Sequence, residues 1–129
     1  MKLALYVPNT YLQATDEERA EVCNGCGAKD GVKVPSTMWF LCVVLACNIH
    51  DWMFKEGKTL GDFWFANLIF FWNMTAIIYN GSNFLMLLPR MERALKYFLA
   101  VLTKMGQDAY WVDKVKNEDK HITIRGELV

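Results

Sequence analysis

An excess of either charge is absent from this chain, because 14 lysines and arginines are balanced by 14 aspartates and glutamates. Proteins that bind the nucleic-acid backbone need a basic surface, so the composition predicts no nucleic-acid partner. Charge is also absent locally, since residues 63–89 contain no lysine, arginine, aspartate or glutamate. Internal repeats and low-complexity segments are missing as well.

The N-terminal residues do not predict a secretory signal peptide. Met1 and Lys2 are followed by only a short apolar run before Pro8, which is too short for the hydrophobic region of such a peptide. The sequence therefore predicts a protein that is cytoplasmic or exported by a non-classical route. It decides neither between these localisations nor the oligomeric state.

Apolar and aromatic residues are abundant, at 53% and 14% of the sequence. The 129 residues predict one domain with one core. Within this single domain, 1–129, three regions are expected. Residues 1–35 hold an N-terminal helix and a glycine-rich ion loop, residues 36–106 form a helical core, and residues 107–129 form a polar tail.

Helical periodicity and capping signals predict an all-α fold with three long helices and a loop-rich N-terminal third. Thr15 and Glu18 form a capping box before a short helix, and Gly57 and Gly106 are expected to end long ones. Pro89 is expected to kink the third long helix or to open its regular part. The predicted helices are 16–22, 36–55, 59–79 and 83–105, with a last helical turn in 108–115 and a weak strand in 121–124.

The most informative segment is 47–51, with the sequence CNIHD. It places the adjacent imidazole and carboxylate of His50 and Asp51 in an otherwise apolar helix. Such a pair would cost several kcal/mol if it were buried without partners. The helix is therefore expected to hold it for a buried hydrogen-bond network or for a site.

A second unusual segment is 23–31, with the sequence CNGCGAKDG. Three glycines together with an asparagine and an aspartate predict a tight loop that is rich in free backbone groups. Such a loop is suited to holding an ion.

These two segments together resemble the phospholipase A2 family. The residues CNIHD are similar to its Cys-x-x-His-Asp signature, and CGAKDG from Cys26 is similar to its Cys-Gly-x-Gly-Gly calcium loop, which precedes the signature in the same order. The resemblance covers residues 20–68. It implies a phospholipase A2-like antiparallel helix pair, a hydrolase that releases a fatty acid, and a phospholipid or membrane surface as the partner.

The resemblance also implies roles for individual residues. His50 would be the general base toward the attacking water, and Asp62, on the antiparallel helix, would be the carboxylate that orients it. Asp51 would bind Ca²⁺ together with loop carbonyls, because this hard cation prefers oxygen ligands. The loop donors implied are Gly25, Gly27, and Lys29 or Asp30.

The family pattern further implies that Cys26 and Cys47 lie side by side and can form a disulfide. Cys42 lies five residues before Cys47 on the same predicted helix, so it is expected to point to a different face and to stay a free core thiol. The chain departs from that pattern in its longer loop and in Met53 and Phe54, which replace the usual Cys-Tyr. These departures leave open a divergent member that keeps the fold without the activity.

Two other interpretations stay open. Cys23, Cys26, Cys47 and His50 have the spacing of a Zn²⁺ site, which would make the protein a zinc-stabilised binding module. The uncharged span 63–79 is at the lower limit of what crosses a hydrocarbon core of ~30 Å, which would make it a small membrane-associated protein without catalysis. The asparagines of that span favour a buried helix instead.

Overall fold

A computed structural model describes residues 2–26, 35–111, 114 and 126–129 of the chain. The protein is mostly helical in this part, which agrees with the predicted all-α class. The helices are α1 Asn9–Gln13, α2 Asp16–Val22, α3 Val44–Glu56, α4 Leu60–Gly81, α5 Phe84–Val101 and α6 Lys104–Trp111. The strands are β1 Tyr6–Pro8, β2 Thr37–Met38, β3 Leu41–Cys42 and β4 Gly126–Leu128.

Helix α2 has the predicted bounds because its first turn is capped locally. The Thr15 hydroxyl accepts a hydrogen bond from the Glu18 backbone N–H at 3.1 Å, and the Glu18 carboxylate accepts one from the Thr15 N–H at 2.9 Å. This reciprocal pair is a capping box, which satisfies two backbone donors that the helix itself cannot. The predicted capping box is thus confirmed.

The first long helix begins later than predicted, at Val44 rather than at residue 36. Residues 37–42 form a hairpin instead, in which Met38 lies opposite Leu41. The two residues at its tip, Trp39 and Phe40, have φ values of 46° and 68°. Positive φ at both central residues is typical of a type I′ turn, which usually contains Asn-Gly. The pair Trp39-Phe40 does not have the sequence of such a turn, so this uncharged segment predicted a helix instead of a hairpin.

The hairpin also changes the position of Cys42. The prediction placed this thiol in the core on the helix of Cys47, whereas the structure places it on β3. Cys42 is free, as predicted, but it is exposed. Because α3 begins only at Val44, Cys42 lies on a strand and not on the buried face of a helix. Successive side chains of a strand alternate between its two faces, and Cys42 is on the exposed one.

The third long helix is shorter than predicted. Its start is set by Asn83, whose side chain accepts a hydrogen bond from the Met86 N–H at 2.9 Å, so Pro89 lies inside α5 and not at its beginning. The helix ends at Val101, and Gly106 lies within α6 instead of terminating α5. A Cβ atom at Gly106 would overlap the carbonyl oxygen of Val101, so the close approach of the two helices requires glycine there.

The two ends of the chain pair with each other. Strands β1 and β4 are antiparallel, with Tyr6 opposite Leu128. The described end of the region predicted as a polar tail is therefore part of the fold, and residues 108–111 of the predicted last turn belong to α6. The predicted strand 121–124 lies outside the described residues.

Two buried apolar clusters hold the helices together. Helix α4 contributes to both, and α3 packs antiparallel against it across the loop 57–59. The first cluster joins the hairpin, α3, α4 and α5; the second joins β1, α3 and α4. Asn73 fixes β1 to α4, since its side chain accepts from the Tyr6 N–H at 2.8 Å and donates to the Tyr6 carbonyl at 2.9 Å. None of the helices described here is both long and apolar enough to cross a bilayer.

Candidate functional site

The N-terminal loop is attached covalently to α3. Cys26 and Cys47 form a disulfide with a Cα–Cα distance of 5.0 Å and a sequence separation of 21 residues. The expected contact between these two cysteines is therefore present, and its redox state, which the sequence left open, is oxidised. The bond places the loop against the face of the helix that carries the His-Asp segment.

Hydrogen bonds extend this attachment along the loop. The Gly25 N–H donates to the Asn48 side-chain oxygen at 3.0 Å, and the Asn24 N–H donates to Oδ2 of Asp51 at 3.0 Å. Gly25 has φ 78°, a conformation in which a residue without Cβ is favoured. The structure thus brings two predicted metal-site residues, Gly25 and Asp51, to the same junction.

Cys23 packs at the same junction as a free, half-buried thiol. Its Sγ donates to the carbonyl oxygen of Asn48 at 3.3 Å. Burial, together with the negative charge of Asp51, raises the pKa of this thiol to about 11. Cys23 is therefore protonated at neutral pH and is a poor nucleophile there.

His50 is buried between two aromatic rings. The residue is 6% exposed, and its ring centroid lies 4.1 Å from that of Phe54 and 4.4 Å from that of Phe70. Its Nε2 atom lies 2.7 Å from Oδ1 of Asn67 on α4. The imidazole is thus held in one orientation by two rings and one amide.

The protonation state of His50 follows from this environment. Burial lowers its pKa from 6.5 to about 4, against a smaller opposing effect of the Asn67 hydrogen bond. The ring is therefore neutral at neutral pH. Since an amide oxygen can only accept, Nε2 carries the proton in this arrangement and Nδ1 keeps its lone pair.

Asp62, predicted to orient His50, does not bond to it. Its Oδ2 accepts from the Lys58 N–H at 3.0 Å, and its own N–H donates to Oγ1 of Thr59 at 3.1 Å, so Thr59 caps α4 and Asp62 is held in the first turn of that helix. The reason is the position of the turn between α3 and α4. Residues of two antiparallel helices lie level with each other when they are equally far along the chain from the centre of the connecting loop. His50 and Asn67 are almost equally far from Lys58 along the chain.

Asn67 is the site residue that sequence reasoning missed. Counting from a turn near Gly57 places residues 62–66 level with His50, whereas the loop 57–59 is centred on Lys58 and brings Asn67 level with it. Asp62 instead lies level with the last turn of α3, beside Tyr110, whose hydroxyl donates to the Thr59 carbonyl at 2.6 Å. The pKa of Tyr110 is raised, mainly by burial and further by the charge of Asp62.

The zinc arrangement loses two of its four ligands in this structure. Cys26 and Cys47 are joined in the disulfide, so neither offers a thiolate. Within 2–26, 35–111, 114 and 126–129, no three histidine, cysteine, aspartate or glutamate side chains are grouped so that they could hold a metal ion.

The calcium arrangement rests on a different kind of donor. Ca²⁺ takes carboxylate and backbone carbonyl oxygens, and Asp51 beside the loop of Gly25 supplies both kinds. The hydrogen bonds from the loop to α3 hold that carboxylate and the loop together. A carboxylate and backbone carbonyls are donors of the type that Ca²⁺ prefers, so the chemistry of this donor set fits the ion. The other implied donors, Gly27, Lys29 and Asp30, lie outside the described residues.

Comparison of the chain with protein-family models, curated proteins and solved structures found no match.

The Asn67–His50 hydrogen bond should be important for stability. Asn67→Leu keeps the branched shape and the heavy-atom count of the side chain but leaves the buried Nε2–H without an acceptor, which we expect to lower the free energy of unfolding by about 2 kcal/mol. Urea denaturation measures the difference. The opposite exchange at the exposed neighbour, Leu68→Asn, is the control and should change stability by less than about 0.5 kcal/mol. Equal effects of the two exchanges would contradict the structural role of the bond.

Proposed function

We propose that this protein is a calcium-dependent lipid ester hydrolase of phospholipase A2 type. The observation that carries the proposal is the docking of the loop 23–26 onto the face of α3 that bears Asp51, directly beside the buried His50. A cation site next to a neutral imidazole is the combination that ester hydrolysis by an activated water requires. The antiparallel packing of α3 and α4 supports the proposed likeness to the helix pair of that family.

His50 is the proposed general base. Its lowered pKa keeps the imidazole in the base form at neutral pH, and Nδ1 has the lone pair that accepts a proton from water. Asn67 is the proposed positioning residue, because its amide oxygen fixes the ring through Nε2. A carboxylate there would also stabilise the imidazolium by its charge, whereas an amide only orients the ring. We therefore expect slow turnover.

Asp51 and loop carbonyls are the proposed calcium ligands. When bound, calcium would polarise the ester carbonyl and hold the phosphate of the lipid. The chain itself contributes the carboxylate of Asp51, which lies on α3, and the turn at Gly25. The disulfide holds this turn against α3. The rings of Phe54 and Phe70 pack against the imidazole and exclude water from the sides that they cover.

The test is fatty-acid release from mixed micelles of phosphatidylcholine and detergent. We expect release with added calcium and none with a calcium chelator. Asp51→Asn removes the proposed ligand charge and should raise the calcium concentration needed for half-maximal release by at least about tenfold. The matched control is Asp108→Asn, at an exposed carboxylate on α6 that pairs with Lys104.

Two results would contradict the proposal. Fatty-acid release that persists in the presence of a chelator would show that the reaction does not need calcium. A wild-type protein that releases no fatty acid from any phospholipid would leave His50 and Asn67 with a structural role alone. Titration with calcium by calorimetry separates these cases, because it measures the metal site without requiring turnover.

A further inference from the structure

The side chain of Asn67 is only partly satisfied by the hydrogen bond that it makes to His50. The residue is fully buried, and its Oδ1 atom lies 2.7 Å from Nε2 of the imidazole. Its Nδ2 atom, which carries two N–H groups, has no hydrogen-bond partner among the described residues. Buried donors without an acceptor are rare in proteins, because removing them from water is costly. Hydrogen bonding therefore holds this amide at one end only.

The other two asparagines of α4 are held at both ends. Oδ1 of Asn73 accepts from the Tyr6 N–H, and its Nδ2 donates to the Tyr6 carbonyl oxygen. Asn80 makes the same pair of bonds with Leu3, at 2.8 and 2.9 Å. One accepted and one donated bond determine which end of an amide is the oxygen and which is the nitrogen. Within the described part of the chain, Asn67 lacks the second bond of such a pair.

A half-turn of the Asn67 amide exchanges its oxygen and its nitrogen and leaves the shape of the side chain almost unchanged. With the oxygen toward His50, Oδ1 accepts from the Nε2–H group and Nδ1 keeps the lone pair of the neutral ring. With the nitrogen toward His50, Nδ2 donates to the lone pair of Nε2, so the proton of the neutral ring lies on Nδ1. Each orientation of the amide therefore requires a different tautomer of the histidine.

The two arrangements satisfy the same number of polar groups within the His50–Asn67 pair. With the oxygen toward the ring, the pair makes one hydrogen bond and leaves over both N–H groups of Nδ2 and the lone pair of Nδ1. With the nitrogen toward the ring, it also makes one bond and leaves over one N–H group of Nδ2, the N–H group of Nδ1 and the oxygen. The stacked rings of Phe54 and Phe70 meet the same imidazole in both cases. The free energies of the two arrangements are therefore close.

We propose that Asn67 rotates between these two orientations and thereby switches His50 between its two neutral tautomers. In each switch, one ring nitrogen gives a proton to solvent water and the other takes one, so the charge of the pair does not change.

The consequence of the switch rests on the proposed hydrolysis. A general base that acts through Nδ1 needs the lone pair there, so only the tautomer with its proton on Nε2 is active. Asn67 thus regulates the site, and a water molecule that donates to Nδ1 selects the active orientation by binding to it.

The experiment is nitrogen NMR of the isotope-labelled full chain at about pH 9, where the imidazole is neutral even beside a carboxylate. The resonance of each ring nitrogen reports whether it carries a proton, and the signals of His50 are those missing from His50→Gln. We expect both tautomers in the wild type, each in at least about 10% of the molecules. A scalar coupling between Nδ2 of Asn67 and Nε2 of His50 should accompany the tautomer with its proton on Nδ1, because it arises only across an N–H···N hydrogen bond.

Asn67→Asp should remove the switch, because a carboxylate can only accept, and His50 should then carry its proton on Nε2 alone. Leu68→Asp is the matched control, since it introduces the same carboxylate at the exposed neighbouring position and should keep both tautomers of the wild type. A wild type in which one tautomer accounts for all the molecules would overturn the proposal, and this measurement needs no variant. So would an Asn67→Asp variant with the tautomers of the wild type.

The tautomers of His50 are measured without substrate, so the switch and the hydrolysis can fail separately. Two tautomers in a protein that releases no fatty acid in the micelle assay would support the switch and contradict the proposed hydrolysis. Fatty-acid release by a wild type that carries its proton on Nε2 alone would support the hydrolysis and contradict the switch.

Discussion

Replacing His50 by glutamine is expected to abolish fatty-acid release and to flatten the dependence of folding stability on pH. The first effect follows because glutamine has no lone pair of comparable basicity to accept a proton from water. The second follows because the pKa of His50 is about 4 in the folded protein and near 6.5 in the unfolded chain. The two readouts test the chemistry and the burial of one residue independently.

As the pH falls below about 6.5, the unfolded chain binds a proton at this histidine, while the folded protein stays neutral there until about pH 4. The free energy of unfolding is therefore highest above that range and declines by about 3 kcal/mol across it. In His50→Gln this part of the decline should be absent.

Urea denaturation at a series of pH values measures the effect. The control is Leu68→Asn, at an exposed position without a titratable group, which should keep the dependence of the wild type. A His50→Gln variant with the same decline as the wild type would show that the imidazole is solvated. Loss of the pH effect with fatty-acid release retained would confirm the burial and exclude His50 as the base.

Removing the disulfide is expected to have an effect of similar size. The Cys26→Ala/Cys47→Ala double variant should lose about 3 kcal/mol of stability, because the bond closes a loop of 21 residues and limits the unfolded chain. Both cysteines are buried, so loss of packing adds to the effect. The loop would also be less firmly held beside Asp51, and calcium binding should weaken.

Denaturation with and without a reducing agent tests this prediction. Reductant should lower the stability of the wild type most of the way to that of the double variant, because the reduced thiols still fill their buried sites, and it should leave the double variant unchanged. Cys42→Ala is the control, because this thiol is exposed and free, and it should alter stability by less than about 0.5 kcal/mol. A wild type insensitive to reductant would show that the thiols do not stabilise the protein through a bond.

Several elements could be predicted from the sequence because their causes are local. The capping box of Thr15 and Glu18 begins α2 at the predicted residue, since its hydrogen bonds join residues within one helical turn. Thr59 and Asn83 begin α4 and α5 in the same way. The contact between Cys26 and Cys47 was reached through the family resemblance, and the structure contains it.

The tertiary structure decided the features that depend on packing between distant residues. The type I′ turn of Trp39 and Phe40 has no local signal, and the hydrogen bonds of Arg90 to that turn come from a distant helix. Asn67 became the partner of His50 because the centre of the loop between α3 and α4 determines which residues of antiparallel helices lie level.

The sequence by itself determined the helical class and the caps that begin α2, α4 and α5. These depend on backbone groups and side chains a few residues apart, whose energies differ little between one fold and another. Which side chain meets the buried imidazole, and which apolar residues face solvent, was decided only when the helices packed. Those contacts depend on where the loop between two helices is centred and on how closely the helices approach.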